Sequence, residues 1–230
     1  MLVKNEKKIT ALLTNSEDME KAAADKDTRL KIILSSAKLF ADKGLDGTST
    51  REIAEHTGSN ISLISYYFGG KEGLYKAVIE QFALQAKERF QKIYENFSPE
   101  EMDKASFVSF MQGLITGMLT MKISKPEIGT IFQREILSGL PYCREIHDTI
   151  FSELCGSIIG ILDVAQQKKI LRADISSKHL FLSMMFSADH FIFASRCHTG
   201  FTEKHLYRLP EELNLFIDQH FKLFIEGNLL

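Results

Sequence analysis

Gly58-Ser59-Asn60-Ile61-Ser62-Leu63-Ile64-Ser65-Tyr66-Tyr67-Phe68-Gly69-Gly70-Lys71-Glu72-Gly73-Leu74 is the stretch whose reading decides the fold. Just before it stands Thr48-Ser49-Thr50-Arg51-Glu52-Ile53-Ala54. Ser49 and Glu52 have the S-x-x-E spacing of a capping box, so a helix starts at Ser49 and runs to about His56. Gly58 follows where a helix end needs a left-handed residue. Asn60 is a strong N-cap and opens a second short helix. Ile64 and Phe68 are four apart, share one face and pack inward. Ile61, Ser62, Ser65 and Tyr66 project elsewhere, and Gly69-Gly70 ends the helix beside Lys71. Two short helices joined by a tight turn form a helix-turn-helix, and the second is shaped to enter a DNA major groove.

Working outward, Leu30, Ile33, Leu34, Ala37, Phe40 and Ala41 recur at three- and four-residue steps, an amphipathic helix that Asp27 or Thr28 caps and Gly44 ends. Leu45 seals that end. Three helices over residues 27–68 make a compact head. Its expected DNA surface comprises Ser49, Thr50, Arg51, Asn60, Ile61, Ser62, Leu63, Ser65, Tyr66, Tyr67 and Lys71. Ser62, Ser65 and Tyr66 are placed at base edges, Tyr67 and Lys71 at phosphates.

Residues 29–79 resemble the N-terminal domain of TetR/AcrR-family transcriptional regulators. The matching residues are Ala37, Phe40, Gly44, Thr48, Ser49, Arg51, Glu52, Ile53, Ala54, Gly58, Asn60, Ile64, Tyr66, Tyr67, Phe68, Lys71, Glu72 and Leu74. Leu63 and Ser65 depart from residues common at those positions, so the operator sequence does not transfer. The resemblance implies an all-α chain: an N-terminal helix-turn-helix domain followed by a helical ligand-binding and dimerisation domain. It implies a homodimer on a double-stranded operator and a small-molecule inducer. It also implies that the long helix starting near Glu72 links head to regulatory domain.

Composition is compatible with this reading. The 230 residues are 44% hydrophobic and 25% charged, with 4 prolines and a net charge of −2. Near-neutral charge argues against a nonspecific architectural binder. Segment 27–76 carries seven Lys/Arg against six Asp/Glu, so each subunit makes few phosphate contacts and a dimer doubles them. Three cysteines, Cys143, Cys155 and Cys197, form no disulfide or zinc pattern. No apolar run suggests a membrane span, and a cytoplasmic location is expected. No catalytic residue, cofactor or metal site is expected; Cys143 and His147 lack further ligands nearby. The alternative function is a helical small-molecule carrier or enzyme that keeps the fold without operator binding. It requires convergent acid, base or metal groups, which the sequence does not offer.

The expected domains are an extension over 1–26, the head over 27–76 and the regulatory domain over 77–230. The extension reads as a frayed or partly helical arm, or as one whose lysines reach DNA. Beyond the head, helices are expected at 72–96, 104–123, 126–137, 141–169, 177–198 and 211–226, with Pro126 and Pro141 in first turns. The last two are apolar over much of their circumference and suit a dimer interface, with Phe216 among the residues facing the partner. Phe110, Met111, Met118, Phe132, Met184, Met185 and Phe186 are candidates for an adaptable pocket, or are plain core. Arg134 and Glu135 interrupt an apolar helix and read either as a solvated or structural pair or as pocket anchors. The surrounding segment resembles an Arg-Glu motif of some family members. His190 reads as a hydrogen-bonded core residue or as a pocket polar group.

Overall fold

The computed structural model describes residues 2–195, 208 and 211–230, with side chains described from residue 23 onward. The expected helix end at His198, together with Cys197, Gly200 and Pro210, lies outside the described residues. Among the described residues the chain is helix and turn, apart from one isolated bridge between Leu171 and Leu229. It divides into two compact units, Met1–Val78 and Ile79–Leu230.

The first unit holds α1 (Leu2–Lys43), α2 (Thr50–Thr57), α3 (Ile61–Phe68) and the start of α4 (Lys71–Tyr94). Helix α1 is continuous through the position where a cap was expected. Thr28 Oγ1 donates to the Ala24 carbonyl at 2.9 Å, an intrahelical bond rather than a cap. The buried stripe of α1 is also rotated from the expected one. Ile32, Ile33, Ser36, Ala37, Phe40 and Ala41 are buried, whereas Leu30 and Leu34 are exposed. Ser36 is admitted to the core because its hydroxyl donates to the Ile32 carbonyl at 2.6 Å. Gly44 ends the helix at φ 72°, and Leu45 is buried behind it. Ile53, Ile64, Leu74 and Val78 close this core. Tyr75 meets Phe40 edge-on, with ring centroids 5.1 Å apart. Each such large side chain contributes about 1.5–3 kcal/mol by burial, which stabilises helices too short to persist alone.

The second unit holds α5 (Lys104–Ser124), α6 (Pro126–Leu137), α7 (Arg144–Ile146), a π-helical turn (His147–Phe151), α8 (Ser152–Gln167), α9 (Ser177–Ala194) and α10 (Leu213–Phe224). Asp103 and Ser106 cap α5 reciprocally, at 2.8 and 3.0 Å. Pro126 occupies the first turn of α6 as expected, but Pro141 lies in a turn ahead of α7, outside the helix. The expected helix 141–169 is therefore broken into α7, the π turn and α8. Phe107, Met111, Leu162, Phe181, Met184 and Phe216 are among the residues of one apolar core.

Glu135 explains the break before α7. It is only 4% exposed, and its carboxylate accepts from the Tyr142 backbone N–H at 3.1 Å. Leu140 N–H donates to the Glu135 carbonyl at 2.7 Å, with Leu140 left-handed at φ 61°. One buried acidic residue thus folds the turn back on α6. Burial, helped by Glu135, pushes the Cys143 thiol up to about 12. We expect Glu135→Ala to cost about 1.5–3 kcal/mol, the range for hydrogen bonds to a charged group. Urea unfolding checks this, and the same variant should expose Cys143 to alkylation at pH 8 while the wild-type thiol stays protected until unfolding.

Candidate nucleic-acid interface

The geometry of α2 and α3 is set by their ends. Ser49 has extended backbone, and its hydroxyl accepts from Glu52 N–H at 3.1 Å. The Glu52 carboxylate pairs with Lys43, the main cause holding it below its ordinary range. Of the expected capping box the Ser49 half forms, while the Glu52 carboxylate turns to a cation from α1. Gly58 ends α2 at φ 63°, and Ser59 N–H returns to the Ala54 carbonyl at 3.0 Å. Asn60 Oδ1 accepts from Ser62 N–H at 3.1 Å and opens α3. Gly69 closes α3 at φ 71°, and Gly70 follows at φ 131°.

These ends fix which side chains face out. Ile64 is buried, and Phe68 is half-buried beneath the Arg29 guanidinium, 5.3 Å from the ring centroid. On the opposite face Ile61, Ser62, Ser65 and Tyr66 are exposed, Tyr66 at 75%. Ser49, Arg51 and Asn60 are exposed as well, while Thr50, Leu63, Tyr67 and Lys71 are half-buried. Arg51 reaches Glu55 one turn on, at 3.1 Å. Both are well exposed, so the pair is worth little and yields readily to a phosphate. Lys71 is the first residue of α4, beside the break.

Two features escaped the sequence reading. The Tyr67 hydroxyl donates to the Asp25 carboxylate of α1, and that contact is the chief cause pushing the phenol up to about 12. Asp25 is 42 residues away, and no local pattern links it to Tyr67. The second feature is Gly73. A Cβ there would stand 1.8 Å from the Phe68 carbonyl oxygen. Its signal was a glycine inside a helix, where alanine is the better helix former. Such a glycine implies close backbone approach.

The residues considered for a ligand pocket are dispersed. Phe110 and Met111 are buried in the core, where Phe110 stacks on Phe97 at 4.1 Å. Phe132 lies 4.8 Å from Phe151 and 6.4 Å from His147. Arg134 is exposed, and Glu135 is committed to the turn before α7. Phe186 and His190 are exposed on the outer side of α9. His190 is therefore not a core residue. Among the described residues no group of three or more His, Cys, Asp or Glu could hold a metal ion, and no helix is long and apolar enough to cross a membrane.

We expect Gly73→Ala to push the α3–α4 corner apart, because the contact is with backbone. Duplex binding should fall at least tenfold in a mobility-shift assay. The far-UV spectrum and oligomeric state should hold, since the affected contact is confined to the first unit.

Residues 32–78 match the sequence family described as bacterial regulatory proteins, tetR family. A probable helix-turn-helix transcriptional regulator of Bacillus subtilis, YttP, is 32% identical over 122 residues, 53% of this chain and 56% of its own length. This chain therefore spans little more than half of that relative. The transcriptional repressor NicS of Pseudomonas putida is 27% identical over 178 residues, 75% of this chain and 78% of its own. Among solved structures, the ketosteroid regulator KstR2 of Mycobacterium tuberculosis superimposes with a TM-score of 0.66 at 17% identity, covering 88% of this chain and 95% of that one. A linker-substituted HlyIIR gives 0.66 at 21% identity, covering 89% and 99%. The capped helix pair falls within residues 32–78, the stretch that matches the tetR family of bacterial regulatory proteins, and the chain shares its all-helical fold with these solved structures.

Proposed function

We propose that the protein is a homodimeric transcriptional repressor. Its α3 enters the major groove of a near-palindromic operator, and a small apolar or amphipathic molecule bound in the second unit releases it. The observation that carries this reading is the outward face of α3. It offers hydroxyls and one fully presented aromatic ring on a helix whose opposite face is locked by Ile64. Small hydroxyl side chains let the helix lie close to base edges, and Tyr66 reaches further. The P. putida relative is by name a repressor, which supports repression over activation.

Phosphate contacts are assigned to Ser49, Thr50, Arg51, Tyr67 and Lys71, and base contacts to Ser62, Ser65 and Tyr66, with Asn60, Ile61 and Leu63 flanking them. Mobility shift on the DNA upstream of the protein's own gene tests the reading. Tyr66→Ala should lower the preference for that DNA over random duplex by about 1–3 kcal/mol. Lys71→Ala should weaken binding to both alike, with the salt slope shallower by about one unit per subunit. No shift of any fragment by the wild type, at low salt and micromolar protein, would refute the reading.

The dimer surface is assigned to the outer faces of α9 and α10. Leu182, Phe186 and Phe193 on α9, and Leu215 and Leu223 on α10, are exposed large apolar side chains. Exposed large apolar side chains on two helices are the kind of surface a partner covers. Phe216, expected from the sequence to face the partner, is only 2% exposed and packs inside the subunit, 6.0 Å from Phe191 and 5.6 Å from His220. The helix turns it inward while Leu215 faces out. Phe186→Glu should therefore yield a folded monomer in sedimentation, with operator binding lost. Phe216→Glu should unfold the subunit instead. A stable wild-type monomer at micromolar concentration overturns the assignment.

A further inference from the structure

Four helices of the second unit bring polar groups together inside otherwise apolar surroundings. Lys122, near the end of α5, has a side chain only 16% exposed, and its ammonium is paired with the Asp189 carboxylate of α9. The Lys122 charge also acts on the Cys155 thiol of α8 and on the His220 ring of α10. His220 is buried, and its Nε2 lies 3.0 Å from the Met184 carbonyl, a distance at which the ring nitrogen donates. Burial holds its pKa below the ordinary histidine value. Lys122 thus supplies the positive charge of this cluster.

The two members of the ion pair are unequally placed. Asp189 is 49% exposed and can turn into water at little cost. Lys122, with a side chain 16% exposed, is the more confined of the two. Asp189 therefore acts as a resident carboxylate that another carboxylate can replace with no change in charge. Apolar side chains flank the pair. Met118 lies one turn before Lys122 and Met185 one turn before Asp189; both are half-buried against the core, and both side chains adapt to varied shapes. Phe224 stands 4.7 Å from His220.

We propose that Lys122 anchors an apolar monocarboxylate, whose carboxylate displaces Asp189 from the ammonium and so frees α9 from α5. This inference rests on the reading of the second unit as ligand-responsive, and it names the ligand class and the anchor. It also supplies a coupling. Asp189 lies on the exposed side of α9, beside the apolar residues assigned to the dimer face: Phe186 and Phe193 stand three before it and four after it on the same helix. Releasing the pair alters the support of that face. A ligand shifts the equilibrium only through such a difference in contacts between two states.

The test uses the full-length protein and a series of straight-chain carboxylates from hexanoate to hexadecanoate, with the alcohol of each length as the uncharged control. Calorimetry and thermal shift read binding without DNA. At least one carboxylate should bind saturably, and more tightly than its alcohol. Lys122→Met, which keeps volume and removes charge, should weaken that carboxylate by roughly ten- to a hundredfold, the loss of a charge-assisted hydrogen bond. It should leave the alcohol within about threefold. Asp189→Asn removes the competitor. It should lower the melting temperature of the free protein and tighten the carboxylate, which then restores the lost stability. If no carboxylate binds, if the alcohols bind equally well, or if both variants lose stability with the carboxylate-to-alcohol ratio unchanged, Lys122–Asp189 is a structural clamp and the inference fails. Mobility shift is read separately. Carboxylate binding by a protein that shifts no DNA sinks the repressor reading and leaves the anchor standing. DNA binding without carboxylate binding does the reverse.

Discussion

The Gly73 approach to the Phe68 carbonyl is the constraint on which the head depends. An eight-residue helix has no independent stability, so α3 takes its direction from what holds its two ends and its inner face. Asn60 fixes the start. Gly69 and Gly70 turn the chain at backbone angles that residues with a Cβ rarely adopt. Gly73 then lets the first turn of α4 lie against the end of α3 with no side chain between them. With Ile64 locked below, the outward side chains of α3 have one orientation. A rigid placement of this kind is what a base-reading surface requires, because small displacements separate hydrogen-bonding partners.

The head is also nearly neutral in detail, not only in sum. Arg51 has Glu55, Lys43 has Glu52, and the Tyr67 hydroxyl has Asp25. Each of these groups already has an acidic neighbour. Exposed pairs of this type are weak and exchange readily for a phosphate, but the exchange subtracts from the electrostatic attraction that any duplex would offer. Each head therefore offers few uncompensated cations.

In the second unit α9 has two roles on two faces. Its inner face contributes Leu180, Phe181, Met184 and Ala188 to the core, and Met184 lends its carbonyl to His220. Its outer face carries Leu182, Phe186 and Phe193 into solvent. Asp189 belongs to neither set and ties the helix to Lys122. One helix therefore joins the core, an ion pair and an exposed apolar surface, and a change in any of them is felt by the others through a single rigid element.

Much of this was written locally in the chain. Caps and glycine stops act over three or four residues, so Ser49, Gly58, Asn60 and Gly69 revealed α2, the turn and α3. The pairing of Ile64 and Phe68 gave the inward face of α3, and Pro126 marked the start of α6. Periodicity was a poorer guide wherever several faces are apolar. In α1 it chose Leu30 and Leu34 over Ile32 and Ser36, because hydrophobicity alone cannot say which side of a helix meets a neighbour. In α10 it put Phe216 outside for the same reason. The break at Pro141 depended on Glu135, whose charge looked like a surface or pocket feature until the turn folded over it. Tyr67 with Asp25 and Lys122 with Asp189 are 42 and 67 residues apart. The sequence by itself determined the elements whose signals are short-range. Tertiary structure decided which distant polar groups meet, because those partners are chosen by the packing of whole helices.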